Sequence, residues 1–202
     1  MTLDRLRPLA NRGLEPFVDA ADRVGMTPNA VSVVAFVLAI WAAGAFYLAG
    51  DATIWYLGGA LLVLASGWLD LLDGALARHQ DVASRAGDLL DHVLDRYADI
   101  VIIAGLAAGI GEYAIGFAAV TGVLMTSYLG TQAQAVGLDR VYGGLLGRAD
   151  RLMLVGVVAV LTAAIPFEIG GLTLVGWLLV VFAGVGHFTA IQRFYQSMVA
   201  LE

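Results

Sequence analysis

The chain has 202 residues, 60% of them hydrophobic and only 14% charged, with a formal net charge of −6. A mean hydropathy of +0.83 and a pI near 4.9 set it apart from soluble domains and exclude a nucleic-acid partner. It has no cysteine, which excludes disulfides and thiolate metal sites, and all 11 basic residues are arginine.

Residues 1–17 mix acids with apolar residues and lack a long apolar core, so they do not read as a secretory signal peptide. Over residues 2–24, Leu3, Leu6, Leu9, Leu14, Phe17 and Val18 alternate with arginines and acids, which predicts an amphipathic helix on a membrane surface. Met26, Thr27, Pro28 and Asn29 interrupt it, with Thr27 placed to cap a helix whose first position is Pro28. Six apolar stretches follow, at 29–49, 53–78, 85–110, 113–136, 149–166 and 171–195, each long enough to cross about 30 Å of hydrocarbon. The predicted fold is an all-α integral membrane protein, one domain over 1–202, with a juxtamembrane helix (1–25) and a six-helix bundle (26–202).

The arginines orient this bundle. Arg5, Arg7, Arg12 and Arg23 precede the first span, Arg78 and Arg85 flank the second connection, and Arg140, Arg148 and Arg151 flank the fourth. Arg193 lies late in the sixth span, whereas the opposite connections carry Asp51, Glu112 and Glu168 and no arginine. The positive-inside rule then places both termini in the cytoplasm of a cell-membrane protein.

The second and third spans carry the most informative residues. Asp70 and Asp73 share one helix face by their spacing of three, and Asp91 and Asp95 share another by their spacing of four. The topology sets the two pairs opposite each other across a hairpin, one to three turns below the cytoplasmic surface. A carboxylate at the bilayer centre costs roughly 2.5–3.5 kcal/mol, and divalent cations on oxygen ligands are the simplest compensation. His92 and Arg96 point off this face by sequence position, and Asp99, one turn further, reads as the structural partner of an arginine. Intramembrane acids also mark ion pathways, so a divalent-cation transporter is the alternative of another class.

Residues 70–95 read D-x2-D-G-x2-A-R-x8-G-x3-D-x3-D. This pattern resembles the signature of the CDP-alcohol phosphotransferases, and the six-span plan with a surface helix extends the resemblance along the chain. The resemblance implies that Asp70, Asp73, Asp91 and Asp95 hold one or two Mg2+ or Mn2+ ions, with Asp95 also the general base. It implies that Asp73, Gly74, Arg78, Gly87 and Asn29 bind the CDP moiety of a CDP-lipid, CDP-archaeol or CDP-diacylglycerol, and that CMP is released. It also implies a homodimer.

The signature does not name the acceptor. Arg148 and Arg151 at the start of the fifth span and Arg193 in the sixth place three guanidinium groups at one mouth, as membrane anchors or as a phosphate pocket. This R-x2-R pair with a later arginine resembles the phosphatidylinositol-phosphate and archaetidylinositol-phosphate synthase branch, which implies inositol 1-phosphate as acceptor. That branch often has a basic residue two after a Ser-Tyr pair, whereas Ser127-Tyr128-Leu129 is followed by Gly130. Arg140 is a possible substitute, and glycerol 3-phosphate is the alternative acceptor.

Overall fold

The computed structural model describes residues 7–138, 145–165 and 167–202. Arg5 and Arg140 lie outside the described residues. Helix α1 (Arg7–Arg23) precedes α2 (Pro28–Leu48), α3 (Trp55–His79), α4 (Arg85–Ile110), α5 (Tyr113–Ala135), α6 (Arg148–Ala164) and α7 (Leu174–Leu201). Four of these, α2, α3, α5 and α7, are each long and apolar enough to cross a membrane. Helix α4 carries six charged residues and α6 has only 17, so neither meets the same criterion on its own.

Local chemistry explains the boundaries. Thr27 Oγ1 accepts from the Ala30 amide at 3.3 Å and Pro28 opens α2, as the sequence predicts. Ser84 caps α4 by accepting from the Gly87 amide at 3.1 Å, and Asp150 closes the start of α6 by accepting from the Gly147 amide at 3.0 Å. One element departs from the all-helical expectation. A two-stranded hairpin, β1 (Glu168–Ile169) and β2 (Leu172–Thr173), joins α6 to α7. Gly170 and Gly171 take φ of 59° and 80°, the positive values that a two-residue hairpin turn requires.

Two apolar clusters hold the site in place. The larger joins α2–α7 around Phe46, Leu106, Leu179 and Phe182. The smaller buries Leu14, Val18 and Ala21 of α1 against Val31, Leu72 and Leu76, with Phe17 edge-on to Trp68 at 5.5 Å. Helix α1 is thereby packed on the half of α3 that carries Asp70 and Asp73. The Gln80 side-chain amide, just past α3, donates to Asp22 at 2.8 Å and to the Met26 carbonyl at 3.1 Å, tying the α3–α4 turn to the end of α1.

Helix α4 lies close against α2 because its contact positions are small. A Cβ at Gly105 would stand 2.6 Å from Ala43 Cα, so only glycine permits this approach. Helices α5 and α7 meet in the same way at Gly122 and Gly186, where Thr126 Oγ1 donates to the Gly186 carbonyl at 2.8 Å.

Candidate functional site

Asp70, Asp91 and Asp95 converge: each offers a carboxylate oxygen, and these lie within 4.8 Å of one another. The helical spacing in α4 and the antiparallel course of α3 bring them together. They line a cavity shared with Ser32, Ser66, Phe36 and Arg148. Three hard oxygen donors in one cluster suit Mg2+ or Mn2+ better than softer ions.

Asp73 does not join this trio among the described residues. It is buried, and Ser32 Oγ of α2 donates to its Oδ2 at 2.6 Å. Ser66, a turn before Asp70, donates to the Ala35 carbonyl at 2.8 Å and fixes α3 against α2 at the cavity wall. Neither serine stood out in the sequence, since Ser32 and Asp73 are 41 positions apart and in different helices.

The residues expected to meet the nucleotide flank the same end. Gly87 lies beside Asn29, where a Cβ would stand 3.4 Å from Asn29 Oδ1. Gly74 lies under the Arg78 side chain, its would-be Cβ 3.5 Å from Arg78 Nη1. Arg78 and Asn29 are both exposed.

Arg148 joins the third element to the site. Its Nη1 stands 2.5 Å from Asp70 Oδ2 and its Nη2 2.8 Å from Asp95 Oδ1, so one planar fork spans both helices. Arg151, a turn further along α6, donates Nη2 to Asp99 Oδ2 at 2.7 Å. Asp99 is therefore the arginine partner that its sequence position predicts. Arg193 of α7 is buried and donates Nη1 to the Thr126 carbonyl at 2.6 Å. Arg148 thus reaches the aspartates, Arg151 their neighbour Asp99, and Arg193 the backbone of α5.

Arg96 behaves differently from its sequence expectation. It starts off the aspartate face, but its long side chain folds back to set Nη2 3.6 Å from Asp95 Oδ2 and Nη1 within hydrogen-bond reach of Ser127 Oγ. His92 stays at the margin, half-exposed, with Nδ1 3.9 Å from Asp91.

A carboxylate trio is thus set between α3 and α4 and bridged by a guanidinium fork from α6. The chain belongs to the CDP-alcohol phosphatidyltransferase family, whose model matches residues 25–186. It is accordingly a membrane enzyme of phospholipid biosynthesis, a transferase of EC 2.7.8 type. Membership displaces the transporter alternative.

Among its relatives, the archaetidylinositol phosphate synthase of Methanothermobacter thermautotrophicus is 32% identical over 95% of this chain and 91% of that protein. The phosphatidylinositol phosphate synthase of Streptomyces avermitilis is 30% identical over 93% of this chain and 78% of that protein. The solved phosphatidylinositol phosphate synthase of Mycobacterium tuberculosis with CDP-DAG bound superposes with a TM-score of 0.78 at 26% identity, covering 92% of this chain and 94% of that one. The same enzyme in complex with manganese and citrate gives a TM-score of 0.79 at 24% identity, over 92% of this chain and 88% of that one.

Proposed function

We propose that this enzyme transfers a phosphatidyl-type group from a CDP-linked lipid, CDP-archaeol or CDP-diacylglycerol, to a hydroxyl of inositol 1-phosphate and releases CMP. The observation that carries this reading is the Arg148 fork on Asp70 and Asp95, which sets the start of α6 against the carboxylate trio, with Arg151 one turn on at Asp99. The inositol-phosphate synthases among its relatives favour the same acceptor.

The chain's own groups divide the work. Asp70, Asp73, Asp91 and Asp95 would hold one or two Mg2+ or Mn2+ ions, and the spacing of Asp70, Asp91 and Asp95 fits that donor chemistry. Bound there, the cation would neutralise the pyrophosphate oxygens of the donor. Gly74 and Gly87 leave room for the nucleotide, and Arg78 and Asn29 face it. Asp95 takes the proton from the acceptor hydroxyl as that oxygen attacks the phosphorus nearer the lipid. The bond from this phosphorus to the CMP oxygen breaks, and CMP leaves with that electron pair. Arg148, Arg151 and Arg193 pair with the acceptor's own phosphate, which selects phosphorylated polyols over serine or choline.

Helices α4 and α6 complete a six-span bundle. At about 1.5 Å per residue, α6 with 17 residues spans roughly 26 Å, and Asp91, Asp95 and Asp99 of α4 meet the site or Arg151. The arginine distribution places the site and both termini on the cytoplasmic side. A homodimer belongs to the same reading, as the family resemblance implies.

Glycerol 3-phosphate is the second reading, favoured by the missing basic residue after Ser127-Tyr128. Steady-state CMP release by purified protein with Mn2+ or Mg2+ and a CDP-lipid distinguishes the two. Release driven by inositol 1-phosphate supports the first reading. Release driven by glycerol 3-phosphate alone replaces it.

A further inference from the structure

Asp99 lies one turn beyond Asp95 on α4, outside the carboxylate trio, and about 21 Å along the helix from Arg85. It is buried, and Arg151 Nη2 donates to its Oδ2 at 2.7 Å while Arg96 Nη1 stands 3.9 Å from the same oxygen. Arg151 is buried as well, and its Nε has no partner among the described residues. The Arg151 side chain lines a second cavity, walled by Thr126 of α5 and by Phe182, Gly186 and Thr189 of α7.

A buried ion pair is weak evidence for stability, because apolar residues of similar volume often pack as well or better. At this depth a carboxylate is costly, and its retention calls for another reason. The geometry supplies one. An arginine side chain has many rotamers, and a fixed carboxylate on one Nη narrows the orientations open to the guanidinium plane. Here that orientation leaves Nε–H buried and unpaired on a side chain that forms a cavity wall.

We propose that Asp99 is a positioning residue, holding the Arg151 guanidinium against the α5–α7 cavity so that it meets the phosphate of the acceptor. The proposal rests on the reading that Arg151 binds that phosphate. Asp99 touches neither substrate; it acts through Arg151, and its loss frees the guanidinium to swing.

The test is a kinetic cycle on full-length protein in detergent at saturating CDP-lipid and Mn2+, with inositol 1-phosphate varied across Asp99→Asn, Arg151→Gln and the double variant. Asp99→Asn is expected to raise the acceptor KM about tenfold or more while kcat and the CDP-lipid KM move less than about threefold. In the Arg151→Gln background, Asp99→Asn is expected to add nothing further. Independent, multiplying effects would overturn the proposal, as would an equal rise in the CDP-lipid KM. If Arg151→Gln leaves the acceptor KM unchanged, the phosphate reading itself falls; if only Asp99→Asn leaves it unchanged, that reading stands and the positioning role falls. Asp99→Glu covers the case in which the asparagine variant does not fold. Its displaced carboxylate is expected to raise the acceptor KM with kcat retained, and an unchanged KM would overturn the proposal.

Discussion

Replacing Arg148 with glutamine removes the cation that pairs with Asp70 and Asp95 at 2.5 and 2.8 Å. All three side chains are less than a quarter exposed, so solvent screens these pairs only in part. At a charge separation of about 4 Å and an effective dielectric near 20, each pair is worth roughly 4 kcal/mol before desolvation. Stripping one partner from a buried pair costs about 3–5 kcal/mol net, because the remaining charge stays uncompensated. At roughly 2–4 °C per kcal/mol for a chain of this size, Arg148→Gln is expected to lower the melting temperature by about 6–20 °C. Added Mn2+ is expected to restore much of that loss, because it neutralises the same carboxylates, and to stabilise the variant more than the wild type. Scanning fluorimetry of purified protein in detergent, with EDTA and with Mn2+, reads both effects. A variant that melts within about 2 °C of the wild type in EDTA, or that gains nothing extra from Mn2+, would refute the reasoning.

Asp95→Asn is expected to lower kcat by about 10²–10⁴, measured by CMP release at a temperature below the variant's own melting point. Ser32→Ala removes the hydroxyl that donates to buried Asp73 at 2.6 Å, and a loss of about 1–3 kcal/mol in thermal stability is expected. Gly105→Leu drives a side chain into the Ala43 backbone, so α2 and α4 must separate; a poorly folded, Mn2+-insensitive protein is expected by size-exclusion chromatography and thermal scanning.

Much of this site is legible along the sequence because helical periodicity is short-range. Spacings of three and four fix which aspartates share a face, and alternating spans make α3 and α4 antiparallel, so the convergence of Asp70, Asp91 and Asp95 follows. The helix starts at Pro28 and Arg85 lie close to the predicted ones, since Thr27 and Ser84 act on amides three residues away. What sequence alone leaves hidden comes from rotation between helices. That buried Asp73 takes a hydrogen bond from Ser32 depends on the packing of α3 against α2. The reach of Arg96 back to Asp95 and Ser127 depends on a flexible side chain, which the direction of its Cβ does not fix. The hairpin at 168–173 is two residues per strand, too short for any alternation to announce it.

The proposed reaction has phosphoryl transfer at the Asp70–Asp91–Asp95 cluster. Titration of Mn2+ into metal-stripped wild type and Asp91→Asn, following CMP release from a CDP-lipid with inositol 1-phosphate, tests it most directly. No release is expected without the cation, with saturable recovery in the wild type and at least about a hundredfold lower activity in Asp91→Asn at every Mn2+ concentration. Full CMP release from the EDTA-stripped wild type, or a metal response in Asp91→Asn equal to that of the wild type, would contradict it.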